Sequence, residues 1–168
     1  MKLLCKYVVL LFLVSAQFSF AQKLTRKEKK ILKTIEANNN EAIEFLKDVV
    51  NINSGTMNHD GVKEVGDVFG KAFEDIGFKS SWYNMSQVNR SGHLFAETSG
   101  NKGKKLLLIG HLDTVFEENS PFQEFKMVND SIAHAPGGND MKGGNVIILY
   151  ALKALKENGL LNDAQIIA

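Results

Sequence analysis

Two short stretches carry residue types that could do chemistry. Gly110-His111-Leu112-Asp113-Thr114-Val115 closes an apolar run, Leu106 to Ile109, and Gly137-Gly138-Asn139-Asp140-Met141-Lys142-Gly143-Gly144 opens a helical pattern. Zinc takes neutral imidazole nitrogen and carboxylate oxygen as ligands, and catalytic zinc keeps one position for water. His111 and Asp140 are donors of that kind. Asp113 follows His111 by two residues, so on an extended chain both side chains leave the same face. A carboxylate there can accept the second ring N–H of His111, which fixes its tautomer and raises its basicity, as is common for metal-bound histidines. That spacing suits a ligand and its orienter better than two ligands of one ion. Glycines on both sides of Asp140 let the backbone approach a ligand closely. Its two oxygens could also bridge a pair of ions, which two-metal hydrolytic sites hold about 3.5–4 Å apart.

Each residue also has a plainer reading. Asp just before a helical run is a favoured N-cap, and His111 alone would pass for a satisfied histidine at a strand end. A glycine loop ahead of a helix can cradle phosphate, but here the lysine precedes Gly143-Gly144, no Ser or Thr follows it, and Asp140 would repel the anion. His59, in the loop Asn58-His59-Asp60-Gly61, lacks a partner at useful spacing and reads as a surface polar residue. His93 receives no catalytic role. Glu117 and Glu118 read as solvated neighbours, and His134, six residues before Asp140, is a weak substrate-contact candidate.

Stepping along the chain, helices alternate with strands, which indicates an α/β domain. Arg26 onward is a helical pattern that the run Asn38-Asn39-Asn40 ends, with Asn40 capping a second helix over about 41–51. Ile52-Asn53-Ser54-Gly55-Thr56 is a turn with no assigned chemistry. Val62, Val65, Phe69, Ala72, Phe73 and Ile76 recur at three- and four-residue steps, an amphipathic helix closed by Gly77. Phe78 to Tyr83 and His93 to Thr98 read as strands, with Trp82 packing. Leu106 to Ile109 is apolar on successive residues, as expected of a strand covered on both faces. Its C-terminal end, where His111 and Asp113 emerge, is the usual place for ligands in such sheets. The residues from Phe116 to Val128 connect, with Pro121 in a loop. Lys142 to Asn158 forms a buried helix ended by Gly159, and Ala164 to Ala168 begins another strand.

Upstream, 1–21 reads as a secretory signal peptide. Lys2 and Lys6 form the positive end, Tyr7 to Val14 the apolar core, and Ser19-Phe20-Ala21 the small-residue cleavage site. That core is shorter than the ~20 residues of a membrane span, so no stable membrane anchor is expected after cleavage. A secreted or periplasmic location follows. The single cysteine, Cys5, would leave with the signal, and with it any disulfide or thiol nucleophile. Loss of Lys2 and Lys6 takes the balance from 20 basic and 19 acidic residues to 18 and 19, a net charge of −1. The one basic cluster, Arg26 to Lys33, is interrupted by Glu28 and reads as a solvated helix face. Nucleic acid, whose footprint is a clustered basic surface, is not an expected partner.

GHLDTV followed by PGGNDMKGGN resembles the co-catalytic zinc hydrolases that include glutamate carboxypeptidase, aminoacylase and succinyl-diaminopimelate desuccinylase. The resemblance runs from about Glu41 to the last residue. It implies an α/β fold with helices on a mixed, mostly parallel sheet. It further implies that His111 ligates one zinc, Asp140 bridges two, Asp113 orients His111, and the Asp140–Met141 peptide is cis. In that family the general base is the first of two adjacent glutamates after the next strand, and the second binds zinc. The chain stops at Ala168, inside what reads as that strand. Residues 22–168 are therefore expected to form the N-terminal part of a catalytic domain, inactive alone, ahead of the remaining ligands and an inserted smaller domain. The implied activity is amide hydrolysis of a peptide or N-acyl amino acid, carboxypeptidase-type if export is a guide, with a homodimer open to the full-length protein. A deacylase and a non-catalytic binding module on the same scaffold are the alternatives.

Overall fold

The computed structural model describes residues 23–168. The expected signal peptide, 1–21, lies outside the described residues.

Helix α1, Arg26–Asn51, starts at a reciprocal cap: Glu28 N–H donates to Thr25 Oγ1 (3.2 Å) and Thr25 N–H to the Glu28 carboxylate (2.6 Å). It does not break at the asparagines. Ile31, Thr34, Asn38, Ala42, Phe45 and Val49 follow at three- and four-residue steps and are all at least half-buried, so the inward stripe passes straight through the asparagine run. Asn38 donates to Glu157 (3.1 Å) rather than to its own backbone. The expected helix boundary at Asn38–Asn40 is thus wrong, because tertiary packing outweighs a weak local preference.

Helix α2, His59–Asp75, is capped by Asn58, whose side chain accepts from Gly61 N–H (3.1 Å). It is closed by Gly77, whose φ of +90° an L side chain rarely adopts. Strands β1, Lys79–Asn84, and β2, Gly92–Glu97, pair antiparallel, with Trp82 opposite Leu94. Gly66 lies against the Trp82 ring so closely that an added Cβ would collide with it. A small residue there lets α2 settle onto the hairpin, which fits the packing role expected of Trp82.

The order across the main sheet is β1, β2, β6 (Ala164–Ile167) and β3 (Lys102–Leu107). The β2–β6 pair is antiparallel and the β3–β6 pair parallel, so the sheet is mixed, as expected, but not mostly parallel: the β1–β2 hairpin makes antiparallel pairing the majority among the described residues. A separate hairpin joins β4, Lys126–Asn129, to β5, Ile132–His134. Between β5 and helix α3, Gly143–Glu157, the chain makes one wide turn over Gly138–Lys142. One apolar cluster joins α1, α2, α3 and the sheet through Val49, Phe69, Phe73, Ala96, Leu149 and Ile166.

β3 departs from expectation. It ends at Leu107, although Leu108 N–H still donates to Ile167 (2.8 Å), and it occupies the edge of the sheet. Leu107 is 60% and Ile109 77% exposed, so this strand is not covered on both faces among the described residues. β6, beside it, takes the buried place, with Ile166 in the core. An apolar run records a tendency to be buried. It does not say which strand wins the central position.

Candidate metal centre

Beyond β3 the backbone runs Gly110-His111-Leu112-Asp113-Thr114 along the Ser54–Thr56 turn. A parallel bridge joins Gly55 to Thr114. Thr114 N–H donates to Ser54 O (2.8 Å) and Thr56 N–H to Thr114 O (3.1 Å), so two segments far apart in sequence form one small frame. On the other side, Asn145 of α3 donates to the His111 carbonyl (2.7 Å). Gly110 sits where any side chain would run into the Asn145 amide. His111 is thereby held by its backbone from two directions.

Its ring spans the two predicted acids. Nε2 lies 2.8 Å from Asp140 Oδ1, and Nδ1 lies 2.9 Å from the Asp113 carbonyl oxygen and 3.4 Å from its carboxylate. All three sequence-predicted site residues are brought together. The orienting contact differs in detail, because the nearer acceptor for Nδ1 is the main chain of Asp113. Burial pulls the His111 pKa down, but the hydrogen bonds to Asp140 and the Asp113 carbonyl, with both carboxylate charges, leave it raised overall. With an acceptor at each nitrogen, the ring in this arrangement is best satisfied as imidazolium. An ion between Nε2 and Asp140 would take the place of that proton, and binding would release it.

Asp140 reaches this position through the wide turn. Gly137 has a φ of +71°, and the Asp140–Met141 peptide is cis, as the resemblance implied. The Asp140 side chain is 82% exposed, so most of the carboxylate faces solvent. It does not cap α3, and no side chain makes the N-cap bond of that helix. Lys142 turns the opposite way, into the interior. It is 1% exposed, and its ammonium donates to Val49 O (2.7 Å) and Ile52 O (2.8 Å), carbonyls at the end of α1. Burial pushes its pKa down to about 8.

The donor set fits zinc in kind: an imidazole nitrogen and a carboxylate oxygen converge on one point from two loops. It is half a coordination sphere. Among the described residues no group of three or more His, Cys, Asp or Glu is placed to hold a metal ion. Two cavities of about 380 and about 360 Å³ meet at this point, and His111, Asp113 and Thr56 line both. The first has an apolar floor that includes Phe69 and Phe73; the second is walled by Phe116 and Phe122.

Other candidates fall elsewhere. His59 is not a surface residue: it is half-buried at the start of α2, with Nε2 enclosed and without a partner. The helix start draws the ring inward, which a loop reading of Asn58–Gly61 does not anticipate. His93, exposed on β2, lines the first cavity. His134 lies on β5 with its ring 6.2 Å from Phe122, outside the residues lining either cavity. Glu118 is exposed as expected, but Glu117 is half-buried and accepts from Met57 N–H (3.2 Å), bracing the Ser54–Thr56 turn. Sequence reasoning missed Thr56, Lys142 and Asn145 as supports. A lysine just before a pair of glycines and an asparagine leading an apolar helix were visible signals for the last two.

Residues 107–168 match Peptidase family M20/M25/M40. Over that stretch the chain resembles this family. It is similar to carboxypeptidase G2 of Pseudomonas sp. (strain RS-16), 30% identical over 143 residues, 83% of this chain and 31% of that protein. Human carnosine dipeptidase 1 has the same fold over 83% of this chain and 33% of its own, with a TM-score of 0.70 at 19% identity. The dipeptidase Dug1p of Saccharomyces cerevisiae gives a TM-score of 0.68 at 14% identity, over the same shares of the two chains. The chain therefore spans about a third of the length of the relatives it matches.

Proposed function

We propose that this chain, which resembles the M20 family, is the N-terminal part of an exported, zinc-dependent amide hydrolase, carboxypeptidase-type in its choice of substrate. The observation that carries the reading is the meeting of His111 Nε2 and Asp140 Oδ1 at 2.8 Å, from loops 29 residues apart. The similarity to carboxypeptidase G2 favours an exopeptidase over an N-acyl-amino-acid deacylase. Export rests on the pattern of 1–21. No helix among the described residues is long and apolar enough to cross a membrane.

In this reading His111 and Asp140 would hold zinc. Zinc, when bound, lowers the pKa of a water and polarises a carbonyl. The chain's own residues prepare for that chemistry. Asp113 holds the His111 proton at Nδ1, which would leave Nε2 free to donate its lone pair. Asn145 and the Ser54–Thr56 turn fix the backbone on which the imidazole sits. The cavities on either side leave room for the groups that flank a scissile amide. The remaining ligands and the glutamate base are assigned to residues other than those described, and the chain by itself is expected to be inactive.

The test compares zinc content and amide hydrolysis of the full-length protein with its His111→Ala and Asp140→Ala variants. Both variants should lose bound zinc and fall to near-background rates, while keeping their fold by circular dichroism. Full zinc and full rate in either variant would remove its assigned role. Zinc bound without hydrolysis of any peptide or N-acyl amino acid would favour the binding module.

A further inference from the structure

We propose that Thr56 is a positioning residue of the metal centre, its hydroxyl holding the Asp113 carboxylate in the orientation that faces His111. This rests on the metal-site reading above. Thr56 Oγ1 lies 2.6 Å from Asp113 Oδ2, and the other oxygen of that carboxylate, Oδ1, is 3.4 Å from His111 Nδ1. The hydroxyl has one proton and two acceptors in reach, since Thr114 O is 3.3 Å away. The shorter distance and the negative charge both favour Asp113, because a hydrogen bond to an ionised acceptor is roughly twice as strong as a neutral one. With Oδ2 pinned, the carboxylate cannot turn without breaking that bond, so Oδ1 stays on the imidazole side.

The donor is itself held in place. Thr56 N–H donates to Thr114 O (3.1 Å), the neighbouring Gly55 bridges Thr114, and Ser54 Oγ donates to Leu112 O (2.9 Å). Ser54 and Thr114 are buried. The hydroxyl is thus presented by backbone stitched to the segment it serves. The two hydroxyls of the turn divide the work: Ser54 binds main chain, and Thr56 binds the acid behind the proposed ligand. A partner of a metal ligand, as Asp113 is of His111, acts through orientation, and its loss typically weakens metal binding about 10–100-fold; Thr56 acts one step further out, through Asp113.

The full-length protein provides the test, with zinc affinity measured by chelator competition. Thr56→Val keeps the shape and removes the hydroxyl; it should bind zinc up to about tenfold more weakly, the lower end of the loss expected when a ligand's own partner is removed. Thr56→Ser restores the hydroxyl and should recover most of that affinity. Wild-type affinity in Thr56→Val, or a Thr56→Ser variant as weak as Thr56→Val, would overturn the proposal. A crystal structure of metal-free Thr56→Val gives a second readout that needs no zinc. The Asp113 carboxylate should be turned away from His111 Nδ1, and an unmoved carboxylate would overturn the proposal. Failure of the metal-site reading itself would appear separately, as equal zinc uptake by wild type and His111→Ala.

Discussion

Lys142 illustrates how a single side chain is shared between scaffold and site. A fully buried lysine costs free energy unless its donors are used, and here two are spent on carbonyls that the end of a helix leaves unpaired. Lys142→Ala would orphan both carbonyls and leave a cavity, lowering stability by about 2–4 kcal/mol. Lys142→Met refills the space and also relieves burial of a charge, so its loss should be about half as large. Urea denaturation of the two variants checks this order, and a Met variant as unstable as Ala would contradict it. The same contacts explain why the lysine in the glycine motif has no role as a phosphate ligand: its ammonium points into the protein. At this scale the sequence was informative about identity and poor about partners. The meeting of His111, Asp113 and Asp140 was legible because an imidazole and two carboxylates stand in two glycine-marked motifs at the ends of regular elements. Thr56 was not, because nothing local links a turn hydroxyl to an acid 57 residues away.

Among the elements, α1 gives a measurement whose sign decides between two structures. Asparagine in a helix interior is less favourable than alanine by roughly 0.6 kcal/mol, whereas an asparagine N-cap is worth about 1 kcal/mol over alanine. Asn40 is exposed within the continuous helix. Asn40→Ala should therefore stabilise the protein slightly; a loss near 1 kcal/mol would restore the broken-helix reading. Local propensity suggested the break, and the inward stripe, which depends on what α1 packs against, removed it. Where a local signal agreed with packing, as at the Gly77 stop of α2, the boundary was legible; the Asn58 cap was not, because Asn58–Gly61 reads as a loop. The α1–α3 contact also carries a titration. Burial, and then the charge of Glu41, push the Tyr150 hydroxyl up to about 12 from 10.0. The unfolded chain gives up that proton first, so this contribution is whole below pH 10 and lost as pH rises toward 12. In Tyr150→Phe the decline in urea midpoint across that interval should be shallower than in wild type. An identical slope would contradict the assignment.

For the molecule as a whole, the α/β class was readable from alternating patterns, but the placing of strands was not. Apolar runs at 106–109 and 164–168 look alike in sequence, and pairing, which is non-local, put one at the edge and the other inside. The same non-locality governs the site. The stitches around it join residues 29, 34, 57 and 93 apart: His111 to Asp140, Asn145 to His111, Thr56 to Asp113, Lys142 to Val49. Contacts of that span are formed only after long stretches of chain have been closed into loops. Ligand geometry should then be a late product of folding, so zinc has little to grip in the transition state. Added zinc should slow unfolding in stopped-flow experiments while leaving the refolding rate nearly unchanged. A metal-accelerated refolding limb would mean that the Lys142 anchor closes early and that the ion helps to organise the chain around it.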